Sequence, residues 1–175
     1  MVTLKHLLTA AHCPVTFGFW SKANLTKVRC GDYHLGDPSD DSSVQVRKVK
    51  TSLIHSRYKY SRPNFDIAIL VLEKNLRYSD FVRTICFQSL SNFQGTDDSS
   101  IAVGWGKDEN GDHGQELKKV NVQIFDPVHC KNLLKHFDGF GHDLLCAAEP
   151  TGSGSGVCFG DSGGPLFSFN SRNLR

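Results

Sequence analysis

Along the chain, apolar residues fall in short runs or alternate with polar ones, and clusters of Gly, Ser, Asp and Asn separate them. That is the pattern of a β-rich chain, because alternation lays one face of a strand on a core and a short continuous run suits a strand buried on both faces. Val44 to Ile54 (VQVRKVKTSLI) opens with Val44, Val46 and Val49 interleaved with Gln45, Arg47, Lys48 and Lys50, which predicts a strand whose charges form a solvated face rather than a basic binding site. Ile67 to Leu72 (IAILVL) predicts a buried strand and Leu117 to Ile124 (LKKVNVQI) a half-buried one, with further strands at Ile101 to Val103 and Pro165 to Phe169. One helix is predicted: Asp126 caps it, Pro127 suits its first position, and Val128, Leu133, Leu134 and Phe137 fall near one face before Asp138-Gly139 ends it. Ser91 to Ser100, Asp108 to Gly114 and Thr151 to Gly156 predict mobile surface loops. No segment repeats.

Composition narrows the class. With 39% hydrophobic and 22% charged residues, 175 residues can bury a core. Twenty basic residues against 18 acidic ones leave a net charge of +2, too little to draw the chain to nucleic acid or an anionic membrane. No apolar run approaches the roughly 18 residues that span a bilayer. Met1 to Ala11 carries Lys5 and His6 where a signal peptide needs unbroken apolar residues. Yet six cysteines and the glycosylation acceptor at Asn24 (Asn24-Leu25-Thr26) favour an oxidising, extracellular compartment. The expectation that reconciles the two is that Met1 is not the biological start and that a signal, any pro-segment and a first strand lie upstream.

Three short segments, far apart in sequence, carry the chemistry: Thr9 to Cys13 (TAAHC), Asp66 to Leu70 (DIAIL) and Gly160 to Pro165 (GDSGGP). A serine hydroxyl is a weak nucleophile at neutral pH and needs a base, and an imidazole base needs an acid to hold its tautomer. Asp66 precedes an apolar run and can be held ionised beside an imidazole. The glycines around Ser162 let backbone amides approach a developing oxyanion, which a side chain would block.

In this order the three segments resemble the signatures of the trypsin/chymotrypsin family of serine proteases, as do Val103 to Gly106 (VGWG) and the helix with Cys130, and the similarity runs over essentially the whole chain. Subtilisins and α/β-hydrolases place the same roles in other chain orders. The resemblance implies an all-β fold of two antiparallel Greek-key β-barrels, truncated at both ends, with one short helix in the second. Residues 1–90 would carry His12 and Asp66, and residues 91–175 the nucleophile. It implies a serine endopeptidase in which Ser162 attacks the scissile carbonyl, His12 moves the proton, Asp66 orients His12, and the amides of Gly160 and Ser162 form the oxyanion hole. Gly156 would floor the substrate pocket. Lacking the carboxylate that pairs with Lys or Arg in trypsin-like members, it would favour apolar or small side chains, unless it is simply part of a flexible Gly/Ser loop.

The resemblance also implies a Cys130–Cys146 disulfide, partners for Cys13 upstream and Cys158 downstream, and a tether to an N-terminal light chain or regulatory domain through Cys86. Cys30 fits no family position and could bond to Cys13, bond to another chain or stay reduced. Asp161 is the family's partner for a freed N-terminal ammonium; no such partner is visible in the sequence, so the carboxylate is expected to be unpaired and these 175 residues alone inactive or unstable. No cofactor is implied. His129, His136 and His142 lack an HExxH-like setting, so no metal is assigned. Asp32, Asp37, Asp40 and Asp41 fall in a loop that holds calcium in some relatives, and read as a solvated acidic turn with calcium left open. Expected partners are protein or peptide substrates and macromolecular inhibitors, with no nucleic acid and no membrane. The other reading is a non-catalytic homologue acting as a binding scaffold, but such scaffolds commonly lose Ser or His, and both are present.

Overall fold

The computed structural model describes residues 1–16, 19–20, 27–37, 39, 42–62, 64–85, 99–133 and 144–168. The chain groups into two compact units, Met1–Phe87 and Gln88–Arg175. The first unit holds β1 (His6–Thr9), β2 (Val15–Thr16), β3 (Phe19–Trp20), β4 (Lys27–Cys30), β5 (Gln45–Ile54) and β6 (Ala68–Leu72). Four of them form an antiparallel sheet in the order β1-β6-β5-β4, while β2 and β3 pair with each other. The apolar run read from the sequence thus becomes β6, bonded on both sides, and both its end residues, Ala68 and Leu72, are buried. Ile67, expected to share that burial, is 42% exposed. It lies in the turn before the strand, where its carbonyl accepts the His55 N–H (3.1 Å).

Val49, Leu72, Leu76 and Val82 form the core of this unit, with Leu4, Leu7, Val28 and Leu70 packed against it. A register shift between Val49 and Thr51 places one extra residue, Lys50, in β5, so Val49 stays on the core while Lys50 stays in solvent. Arg47, assigned by pattern to the solvated face, is half-buried and donates from Nε to the Asn75 carbonyl (3.0 Å). The segment after β6 is tied to the chain start by Leu76 N–H to the Leu4 carbonyl (2.8 Å) and Ile85 N–H to the Met1 carbonyl (3.0 Å).

The second unit holds β7 (Ser99–Gly104), β8 (Lys118–Phe125), the helix α1 (Pro127–Leu133), β9 (Cys146–Ala148) and β10 (Leu166–Ser168), with sheet order β10-β7-β8-β9. Among the described residues, the all-β class with one short helix is therefore the observed one. Ser99 and Ser100, assigned by composition to a loop, begin β7, and Ser100 is fully buried. Asp126 caps α1 by accepting the Val128 N–H on Oδ1 (2.9 Å), and Pro127 takes the first helical position. The helix buries Cys130, which is bonded to Cys146 at the start of β9. Val128, expected on the apolar face, is 70% exposed because residues two apart on a helix point to different sides. Leu134, Phe137 and the predicted helix end lie outside the described residues. Among the described residues no helix is long and apolar enough to cross a membrane.

Leu72 is fully buried and Leu53 is 54% exposed on the same sheet. Leu72→Ala should therefore cost about 3 kcal/mol of stability, and Leu53→Ala well under half of that, measured as shifts of the urea midpoint at unchanged slope.

Candidate active site

Antiparallel pairing of β1 with β6 sets Thr9 opposite Ala68. The chain leaves β1 toward His12 at the end where it enters β6 from Asp66, so residues 54 apart in sequence meet. Ala11, fully buried, anchors the short turn that follows β1, and the Cys13 N–H closes it on the Ala10 carbonyl (3.3 Å). The Asp66 carboxylate grips His12 twice: Oδ1 accepts the main-chain N–H (2.8 Å) and Oδ2 lies 2.6 Å from Nδ1. An ionised carboxylate can only accept, so in the neutral imidazole Nδ1 is the nitrogen that carries the proton and Nε2 the one with the lone pair. The side chains are 41% and 27% exposed, leaving the imidazole open to a reactant. Cys13 Sγ stands 3.8 Å from His12 Nε2. Burial first, and the Asp66 charge second, push the Tyr58 phenol above its ordinary value.

In the second unit, Gly160, Asp161 and Ser162 lie on a loop that turns at Gly160 (φ 102°) and Gly163 (φ 79°), with Ser162 exposed. The Asp161 N–H bonds the Cys158 carbonyl (3.0 Å), and the Gly164 N–H bonds the Asp161 carbonyl (2.9 Å). The expectation of an unpaired Asp161 is corrected here. Its Oδ1 accepts the Gly106 N–H (2.8 Å) and its Oδ2 the Cys158 N–H (2.9 Å). The carboxylate lies across Gly104 and Gly106, and a Cβ on either would collide with it. This close approach explains the two glycines of Val103 to Gly106, to which sequence reasoning attached no role. Lys107 N–H to the Phe159 carbonyl (2.8 Å) adds a second tie between that segment and the Ser162 loop.

Gly156 lines a cleft of about 810 Å³ together with Lys118, Glu149, Val157 and Asp161. Gly152 (φ 72°) and Gly154 (φ 80°) turn the backbone into the left-handed region, where glycine is needed. Gly156 has no such φ, and a Cβ there would meet nothing within 4 Å, so the backbone does not demand its glycine. The loop is exposed yet pinned. Glu149 accepts the Thr151 N–H (2.8 Å) and hydroxyl (2.5 Å) and the Ser153 N–H (2.9 Å), and these bonds, the Thr151 hydroxyl foremost, hold its carboxyl at about 2 against an ordinary 4.5.

The remaining sequence expectations divide. Asp32 does not belong to a solvated turn: its side chain is 1% exposed and pairs with Arg29. Asp37 accepts the Ser39 N–H (2.8 Å), the main reason its carboxyl is lowered. Cys30 keeps its thiol, half-buried against the core, and burial pushes it up, so the Cys13–Cys30 bridge is not formed. Cys158 is exposed. Asn24, Asp40, Asp41, Cys86, His136 and His142 lie outside the described residues, as does the side chain of His129.

Comparison with known proteins gives the family the chain resembles. The family model described as Trypsin matches residues 1–172. A venom protease of Bombus pensylvanicus is 33% identical over 93% of this chain, and Limulus clotting factor C of Carcinoscorpius rotundicauda is 30% identical over 98%. The chain spans 64% of the first and 18% of the second. The structure of neuropsin, a serine protease expressed in the limbic system of mouse brain, superposes with a TM-score of 0.78 at 26% identity, covering 96% of this chain and 70% of that one.

The Glu149 bonds have a pH signature. Because its folded value (about 2) lies below the ordinary 4.5, they stabilise the turn fully above pH 4.5 and are lost as pH falls through about 2. A carboxyl NMR titration should find that low midpoint, and Glu149→Gln should abolish the acid-dependent change in the Thr151 and Ser153 amide shifts.

Proposed function

This chain belongs to the trypsin family, and from that premise we propose that it hydrolyses peptide bonds as a serine endopeptidase through Ser162, His12 and Asp66. The observation that carries the proposal is the double grip of the Asp66 carboxylate on the His12 main-chain N–H and Nδ1. It leaves Nε2 as the one ring nitrogen able to take a proton from a hydroxyl.

The reaction follows from the groups named. Ser162 Oγ attacks the scissile carbonyl while His12 Nε2 takes its proton; the carbonyl π pair moves onto oxygen, and the N–H groups of Gly160 and Ser162 stabilise that oxyanion. His12 returns the proton to the leaving amine, and the acyl-enzyme is hydrolysed by water with the same base. Asp66 keeps the tautomer and stabilises the imidazolium as it forms, without itself changing protonation. Asp161 holds the nucleophile loop, its two amide donors already in place before any N-terminal ammonium is added. Gly156 itself brings neither a carboxylate nor a side chain to the cleft, which supports apolar or small residues before the scissile bond. The Cys130–Cys146 disulfide supports an extracellular setting, with proteins or peptides as substrates.

Ser162→Ala should abolish cleavage of a peptide ester and labelling by a fluorophosphonate, and Asp66→Asn should lower kcat on the order of 10⁴-fold with the fold retained. Persistence of the biological effect in Ser162→Ala would move the chain to the scaffold class. A panel of peptides differing only before the scissile bond should be cut fastest at Phe, Leu or Ala, and a preference for Arg would refute the role given to Gly156.

A further inference from the structure

Phe65, immediately before Asp66, has a φ of 57° and is the one residue other than glycine with a positive φ among the described residues. A bulky residue in the left-handed region is strained, because its Cβ crowds the neighbouring carbonyl, and such a conformation persists only where the surroundings over-determine it. Here they do. The His55 ring stacks on the Phe65 ring with centroids 4.9 Å apart and planes 8° from parallel. The Arg57 guanidinium stands over the same ring, 5.5 Å from its centroid. The His55 ring is itself held, since its Nδ1 accepts the Arg57 N–H (3.2 Å).

The same histidine reaches the other side of the acid. The Ile67 N–H bonds the Phe65 carbonyl (2.8 Å), closing a three-residue turn with Asp66 at its apex, and the His55 N–H bonds the Ile67 carbonyl (3.1 Å). His55 therefore brackets Asp66, touching the residue before it through the ring and the residue after it through the main chain. Rotating Phe65 to a negative φ would re-aim the Cα–Cβ bond of Asp66 and break its simultaneous bonds to His12 N–H and Nδ1.

We infer that Phe65 is a positioning residue, its left-handed backbone held by His55 and Arg57 so that the Asp66 carboxylate meets both donors of His12. The inference rests on the reading of Asp66 as the acid that orients His12. What matters is the backbone conformer, and the rings are the means by which a phenylalanine holds it. Asparagine, whose short side chain tolerates the left-handed region, should then replace the clamp.

The test uses the full chain with four variants, Phe65→Ala, His55→Ala, Phe65→Asn and the double change His55→Ala with Phe65→Asn. Two readouts are taken: kcat and KM on a peptide ester, and the low-field proton resonance of His12 Nδ1–H, which reports the His12–Asp66 bond without substrate. Phe65→Ala and His55→Ala should each lower kcat on the order of 10- to 100-fold with KM unchanged, and should weaken or broaden the low-field resonance. Phe65→Asn should keep both near the parent values, and the double variant should recover what His55→Ala loses. If Phe65→Ala fails to fold, His55→Ala and the double variant decide the matter. A parent without hydrolytic activity whose resonance still follows this pattern would sink the proposed function and leave the positioning role standing. Folded variants with parental resonance and kcat, or a double variant no better than His55→Ala, would overturn the inference.

Discussion

Thr9 faces Ala68 across β1 and β6, and that single register decides where an imidazole meets a carboxylate. A slip of one residue would turn every side chain of β6 to the opposite face and expose Leu72, which is fully buried. The hydrophobic pattern that fixes the core therefore also fixes the site: burying Leu72 opposite Val49 and Ala68 opposite Ile54 leaves Asp66 one fixed place, at the open end of the strand pair beside His12. Fold and chemistry share one constraint in this unit.

Around that frame, carboxylates organise loops by accepting backbone N–H groups. Asp66 does so for His12, Asp161 for Gly106 and Cys158, Glu149 for Thr151 and Ser153, Asp126 for the start of α1, and Asp108 for Asn110 (3.0 Å) and Asp112 (3.1 Å). Short strands leave many amides without ladder partners, and each unsatisfied one that is buried would cost roughly 1–3 kcal/mol. An ionised acceptor serves two donors at once, with bonds about twice as strong as neutral ones. Some of these acids also enter ion pairs: the second oxygen of Asp108 lies 3.6 Å from Lys118 Nζ. The Arg83–Asp80 pair is largely exposed on both sides, and such pairs contribute on the order of 0–1 kcal/mol.

Sequence pattern made the strands legible because their apolar residues follow one periodicity, and it made the candidate reactive groups legible because TAAHC and GDSGGP set a reactive side chain among small neighbours while DIAIL sets one before an apolar run. Local composition misled where a distant partner decided the outcome. Ser100 looked like loop yet is buried in β7, Val128 looked like helix core yet faces solvent, and Asp161 looked unpaired because its donors are backbone amides, which no sequence displays. Asp32 looked solvated because Arg29, three residues earlier, reads as just another surface charge until strand β4 and the following turn fold it back. Phe65 gave no signal at all. Its φ is set by His55, ten residues upstream, and a stack between two rings has no counterpart in periodicity.

The two loops proposed to carry chemistry solve the same backbone problem differently. The Ser162 loop needs left-handed turns at Gly160 and Gly163 and uses glycine, which adopts them without steric cost but gives up conformational freedom on folding. The Asp66 turn needs one at Phe65 and uses a residue that pays steric strain instead, on the order of 1–3 kcal/mol. Glycine at 65 would accept the conformation but would not enforce it, since it populates both signs of φ about equally. A clamped ring excludes the alternatives. For a carboxylate that must meet two donors at 2.8 and 2.6 Å, enforcement matters more than ease, because both bonds fail together once the turn relaxes. An exposed clamp also needs more than one contact, as a surface cation–π pair contributes only about 0.5–1 kcal/mol and an aromatic stack a similar amount. His55 and Arg57 together match the strain that neither would offset alone, and their joint presence makes the left-handed Phe65 physically intelligible.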